Sequence, residues 1–179
     1  MEKRTGGTRN YSHRTRTLEK RRSEFESLVA TGAYRLSAFD SSGGYYLIHN
    51  EHLDVDSPKT KEVFAATALA EHGYRAYLMP DNSYVEGFKK NDGFVDRAQM
   101  DIKTVNTAGN YTIKNALAKA SMQGAEIAVI VQNTEAMTKE YVDSQLKVFR
   151  ESSEGKNNKT LKAAWIISMD GKRIHRRPI

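Results

Sequence analysis

Residues 92–103 read Asp92-Gly-Phe-Val-Asp96-Arg-Ala-Gln-Met-Asp101-Ile-Lys103, and the fold class turns on them and on the segment from there to Gln132. Apolar residues alternate with polar ones on both sides of Arg97-Ala98. That pattern predicts a hairpin of Gly93–Asp96 and Gln99–Val105 with Arg97 and Ala98 as the loop pair. In that register Asp96 faces Gln99 and Asp92 faces Lys103. A helix over Thr112–Met122 comes next, then Glu126-Ile-Ala-Val-Ile-Val-Gln132. So continuous an apolar run reads as a strand buried on both faces, the signature of a sheet covered by helices.

Before the hairpin, Ser57-Pro58 reads as a cap and first helical residue of a helix that runs to His72 and stops at Gly73. Tyr74–Met79 is a strand and Pro80–Asn91 a polar loop. Downstream, Glu135–Ser152 reads as a helix, Gly155–Lys159 as a turn and Leu161–Met169 as a strand holding Trp165. Nearer the N-terminus, residues 1–10 read as disordered, Tyr11–Ala30 as a helix and residues 33–49 as two strands around Ser-Ser-Gly-Gly. The expected architecture is an α/β fold with a mixed sheet flanked by helices. It divides into a basic arm and helix, 1–32, and an α/β domain, 33–179.

The chain has 179 residues, 39% of them hydrophobic and 28% charged, enough for one packed core. It has no cysteine, which excludes disulfide scaffolds, thiolate metal sites and thiol nucleophiles. No apolar run is long enough to span a membrane and no secretory signal is visible, so a cytoplasmic protein is expected. Net charge is +6. Residues 1–22 carry eight Lys/Arg against two acids, a surplus equal to that of the whole chain. A second basic cluster, Lys172, Arg173, Arg176 and Arg177, closes it. Basic ends around a mildly acidic middle suit a phosphate backbone, with Arg14, Arg16, Arg21, Arg22, Arg173 and Arg176 as candidate contacts. A solvated tail would have the same composition.

The candidate chemistry lies on the polar face of the hairpin. Alternation gathers Asp92, Phe94, Asp96, Gln99, Asp101 and Lys103 on one side, and Gly93, Val95, Met100 and Ile102 on the other. Three carboxylates and an ammonium on one face are costly unless something binds there. Asp92 and Asp101, diagonal on neighbouring strands, could hold Mg²⁺ (or Mn²⁺) through oxygen. The ion would polarise a phosphodiester and lower the pKa of a bound water. Lys103 could orient that water or stabilise charge on phosphorus. Glu62, at the start of the preceding helix, could add a carboxylate.

This arrangement resembles the PD-(D/E)XK nuclease superfamily. Asp101-Ile102-Lys103 matches its acidic-X-Lys element, Asp92 the preceding aspartate and Glu62 the helical glutamate of some members. Asp92 follows Asn91 rather than proline, which leaves Asp92 and Asp96 as rivals, with Asp92 preferred for its place across from Lys103. Within the superfamily, residues 56–132 look most like the C-terminal tRNA-nuclease domains of contact-dependent inhibition toxins, whose relatives occur in phage and mobile-element proteins. The shared pattern includes Leu69-Ala70-x-x-Gly73-Tyr74 and Gln123 before the apolar strand. The resemblance implies a metal-dependent endonuclease that cleaves RNA of tRNA type in preference to DNA. It also implies that Gln123 approaches the site and that an immunity partner could exist.

Blander readings stand beside these. Asp96 suits a tight turn, Glu62 a helix N-terminus, Gln123 a helix end, and Lys114 and Lys119 a solvated face, although the resemblance implies that their helix can border the substrate groove. His49 and His52 could serve a metal-independent ribonuclease. A silent nuclease-like module that grips nucleic acid, or a mobile-element interaction protein, would share the composition. No Walker loop, dinucleotide fingerprint, Gly-x-Ser-x-Gly or His-Glu-x-x-His motif is present.

Overall fold

The computed structural model describes residues 8–52, 61–80 and 91–179, with the side chains of the first helix from Arg16 onward. Residues 8–10, expected to be disordered, are instead helical, the helix starting three residues before the expected Tyr11. Residues 1–7, the cap at Ser57-Pro58 and most of the loop at Pro80–Asn91 lie outside the described residues.

Each expected element forms, with shifted ends. In chain order they are α1 (Thr8–Val29), β1 (Tyr34–Phe39), β2 (Tyr45–His49), α2 (Glu62–Glu71), β3 (Arg75–Leu78), β4 (Gly93–Val95), β5 (Ala98–Val105), α3 (Thr112–Met122), β6 (Ile127–Gln132), α4 (Lys139–Glu151), α5 (Ser153–Lys156), β7 (Ala163–Ile167) and β8 (Ile174–Pro178). The eight strands form one sheet in sequence order. β2 runs parallel to β3, and β5, β6 and β7 run parallel to one another. The other neighbours are antiparallel. The sheet is therefore mixed, as expected.

Its two faces carry separate cores. Ala65, Ala66 and Leu69 of α2 pack on Val95, Met100, Ile102, Val129 and Trp165. On the other face Ile113 and Leu117 of α3 and Leu146 and Phe149 of α4 cover Ile130, Ala164 and Ile166. β6 lies between them, buried from Ile127 to Val131, because both crossover helices need an apolar floor and α2 needs one beneath.

The hairpin corrects the expected register. β4 pairs β5 with Gly93 opposite Met100, Phe94 opposite Gln99 and Val95 opposite Ala98. The loop pair is Asp96-Arg97, not Arg97-Ala98. Both take positive φ, 45° and 79°, as a type I′ turn requires, and that turn twists with the strands it joins. Aspartate visits this left-handed region more readily than most residues that carry a side chain. Asp96 Oδ1 also accepts from Arg75 N at 3.2 Å and Nε at 3.0 Å, which ties the turn to β3. The slip moves each strand by one residue, so their sum changes by two and no side chain changes face. Continued one residue, the pairing sets Asp92 opposite Asp101, with Lys103 beyond.

Two further elements go beyond the sequence reading. Residues 153–156 form the short helix α5, and β8 pairs the basic tail with β7. The tail's charges and Pro178 suit an edge strand, where they hinder pairing with another chain. The tail's charge is thereby divided. His175 and Arg177 align with Ile166 and Ala164 on the α3/α4 face, whereas Arg176 lies over the Trp165 ring at 5.9 Å on the other.

The turn yields a direct test. Arg97 is exposed and holds φ at 79°, which costs a side-chain-bearing residue and not glycine. Arg97→Gly is expected to stabilise the protein by about 0.5–1 kcal/mol, read as a higher urea midpoint at unchanged slope. A lower midpoint would contradict the turn assignment.

Candidate active site

The site grows from the place where β5 outruns β4. β4 begins only at Gly93, so among the described residues the backbone of β5 beyond Met100 has no partner strand on that side. Asp92 fills the gap with its side chain: Oδ2 accepts from Ile102 N at 2.5 Å. Its own carbonyl accepts from Met79 N at 3.0 Å, which anchors it to the end of β3. Glycine at 93 allows this approach, since a Cβ there would lie 1.8 Å from the Tyr77 carbonyl oxygen.

Asp101 is completely buried in the middle of the sheet. Lys103 Nζ donates to its Oδ1 at 2.7 Å, and Lys103 is itself about a quarter exposed. Oδ2 of Asp101 is buried with no hydrogen-bond partner among the described residues. A buried carboxylate oxygen without a donor is expensive, and such an atom calls for a functional explanation. Burial, then the charge of Asp92, pushes the Asp101 carboxyl up to about 7, against the opposing pull of Lys103.

Lys103 opens into a hollow of about 490 Å³ lined also by Lys119, Met122 and Gln123. The last turn of α3 runs back over β5 and delivers these three. Gln123 caps that helix through its backbone N–H to Lys119 O, and its side-chain Oε1 is a second buried acceptor without a partner among the described residues. Gln123 and Lys103 thus share one hollow. The spacing of the elements carries that signal, since a helix antiparallel to β5 brings its end over the middle of the strand. Lys119, read as part of a solvated face on a helix that could border the substrate groove, lines the same hollow; nothing in its helical spacing separates these roles.

Glu62 stands apart from this pair. It begins α2, which packs on the opposite sheet face, and its Oε2 lies 2.5 Å from Nε2 of the buried His52. His52 Nδ1 lies 2.7 Å from the carbonyl of Met79, the residue whose N–H holds Asp92. Glu62 is therefore linked to Asp92 through His52 and Met79 rather than by contact. His49 is not part of this link; it stacks edge-on with Tyr34 at 6.0 Å. Asp96 is bound to Arg75 at the far end of the hairpin.

Two of the candidate nucleic-acid contacts are structural in part. Arg21 Nη1 donates to the carbonyls of Gly43 (3.1 Å) and Gly73 (2.7 Å), and Arg22 lies 4.5 Å above the Phe39 ring. With Phe25, packed 5.6 Å from Phe39 and 5.4 Å from Tyr45, they dock α1 on the β1–β2 hairpin. Arg16 is exposed on the same helix, and the side chain of Arg14 lies outside the described residues.

Among the described residues, no three His, Cys, Asp or Glu side chains form a metal-binding group. The two facing carboxylates, with one oxygen free of partners, still suit a hard cation that keeps much of its water. No helix among the described residues is long and apolar enough to cross a membrane.

No family profile matches this sequence, and no curated protein does. Among solved structures the chain is similar to a CdiA-CT/CdiI toxin and immunity complex from Burkholderia pseudomallei, at 19% identity and a TM-score of 0.49, over 66% of this chain and 83% of that one. At that level of likeness the function has to be argued from the site itself.

The raised pKa of Asp101 sets a stability profile. The folded state holds this proton more tightly than the unfolded chain, whose carboxyl titrates near 3.8. Below pH 4 both states are protonated and burial costs little. As pH rises from 4 to about 7 the unfolded chain ionises first, and stability falls. Asp101→Asn should therefore stabilise the protein in EDTA by an amount that grows between pH 4 and 7 and then levels, of order 1–3 kcal/mol. A thermal-melt series over that range checks it; a gain largest at pH 4 would contradict the assignment.

Proposed function

We propose that this protein is a metal-dependent nuclease of PD-(D/E)XK type, cleaving phosphodiester bonds of RNA. The observation that carries the proposal is the fully buried Asp101, opposite Asp92, bonded to Lys103 and with one oxygen that finds no hydrogen-bond partner among the described residues. A buried carboxylate facing a second, half-buried one beside an ammonium in a hollow is a destabilising arrangement that a structural role does not require. The succession α2-β3-β4-β5-α3-β6 around it also follows the element order of that superfamily.

In this reading Asp92 and Asp101 hold Mg²⁺ or Mn²⁺. The ion supplies Lewis acidity toward a phosphoryl oxygen and a bound water of lowered pKa. Lys103 favours the ionised form of Asp101 against the effect of burial and Asp92, and its ammonium faces the hollow where the scissile phosphate would lie, placed to orient the attacking water or offset charge on phosphorus. Gln123, lining the same hollow with a free acceptor, would take a donor from substrate or from metal-bound water. Glu62 acts as a positioning residue, holding His52 and through it the end of β3 that anchors Asp92. Asp96 has no part in the chemistry. Exposed Arg16 is a contact that the N-terminal helix offers the nucleic-acid backbone. The preference for tRNA-like RNA, and a protein partner that masks the site, rest on the family resemblance and belong to the same proposal.

A silent nucleic-acid-binding module is the second reading. The meeting of only two carboxylates among the described residues favours it. Cleavage separates the two. Purified protein incubated with total tRNA and with plasmid DNA should cut tRNA in magnesium and not in EDTA. Lys103→Ala and Asp101→Ala should each slow cutting at least 100-fold; Asp101→Ala should leave the melting temperature the same or higher, whereas Lys103→Ala, which strips the buried carboxylate of its counter-charge, should lower it at pH 8. Cleavage that persists in EDTA, or at parental rate in Asp101→Ala, would refute the nuclease assignment.

A further inference from the structure

A second cluster of chemistry lies on the same face of the sheet as Asp101, toward its β8 edge. A cavity of about 320 Å³ sits between the first turn of α4 and the edge strand β8. Lys139 lines it from α4, and Arg173, His175 and Arg177 line it from β8 and the turn before it. Gln132 and Ser168 add polar groups, and Met137, Val142 and Ile166 form an apolar wall. No acidic side chain among the described residues lines it. Arg177 is engaged, its Nε 3.0 Å from Asp143 Oδ1. Lys139, Arg173 and His175 form no ion pair among the described residues.

The cavity is held by local structure. Ser168 Oγ bonds Asp170 Oδ1 at 2.6 Å and accepts from Arg173 N at 3.0 Å, while Gly171 turns the chain at φ +73°. This fixes Arg173 opposite Ser168. Alternation then puts His175 and Arg177 on the same face. Charges along an edge strand are commonly a guard against edge pairing. That accounts for basic residues on either face of β8, but not for a lysine from a different element that meets them around one cavity. Cations gathered without a counter-ion raise the local potential, and an anion relieves it.

A phosphate suits the donors: a guanidinium can bond it in bidentate fashion and an ammonium can act as a point charge. The apolar wall and the volume, at the lower end for small-molecule sites, leave room for an organic body. We propose that this cavity binds a phosphomonoester of nucleotide size, its phosphate between Lys139 and Arg173 and its organic part against Met137, Val142 and Ile166. It is separate from the Asp101 site, three strands away across the sheet (roughly 14 Å at normal strand spacing) and on the far side of α4. The assignment stands whether or not that site cleaves RNA.

Calorimetric titration of the full chain tests it, in EDTA and at fixed ionic strength, with AMP, adenosine and inorganic phosphate. AMP should bind saturably, adenosine should not, and phosphate should compete. The Lys139→Ala/Arg173→Ala double variant should weaken AMP at least tenfold. Arg176→Ala, which removes a charge from the same strand on the opposite face, should change it less than twofold. Competition by a 5′-phosphorylated oligonucleotide and not its 5′-hydroxyl form would identify the ligand as a nucleic-acid end; binding of AMP alone would identify a free nucleotide. Equal affinity for AMP and adenosine, no binding of AMP, or equal losses in the double variant and Arg176→Ala would overturn the proposal.

Discussion

Burying the carboxylate of Asp101 in the middle of a sheet is the constraint around which the rest of the molecule is arranged. The cost of removing an ionised carboxylate from water is several kcal/mol even after relaxation. One ammonium at 2.7 Å offsets part of it, and Asp92, just before the neighbouring strand, adds to it. The cost is tolerable because the strands on either side are heavily packed. β6 is apolar on both faces, and β5 buries Met100 and Ile102 against α2. The two cores hold in place a polar pair that would not hold itself there.

Position derives from the same sheet. β4 begins only at Gly93, so the adjacent Asp92 can turn its side chain on the exposed backbone of β5. That short strand is what converts Asp92 from a solvated loop residue into the partner of Asp101. α3 then returns over β5 and sets Lys119, Met122 and Gln123 around Lys103. The hollow is thus a product of topology: a hairpin that ends early, and after it a parallel crossover that closes over it. The pair from His52 to Glu62 supports the arrangement from the other face, through the backbone of Met79.

Much of this is legible from residues 92–132. The apolar run of 127–131 announces a strand covered on both sides, and alternation places Asp92, Asp101 and Lys103 on one face. That face assignment survives a wrong loop pair because the slip is even; an odd slip would turn the carboxylates into the α2 core. The loop itself is hard to read because Asp96 and Arg97 adopt positive φ without glycine, and Asp96 is held there by Arg75, a partner from β3 with no signal in local sequence. β8 escapes notice since Ile174-His-Arg-Arg-Pro178 carries the marks of an edge and few of a strand. The docking of Arg21 and Arg22 is hidden for another reason. Composition reports their charge but not that two glycine carbonyls and an aromatic ring await them.

The nuclease reading stands or falls on whether the unsatisfied oxygen of Asp101 faces a metal ion. Calorimetric titration of Mn²⁺ into the metal-free protein at pH 8, where Asp101 is ionised, addresses it without reference to any substrate. One binding site per chain is expected, lost in Asp101→Asn and in Asp92→Asn and competed by Mg²⁺. Stoichiometric binding that survives both substitutions, or no binding to the parent protein, would contradict it.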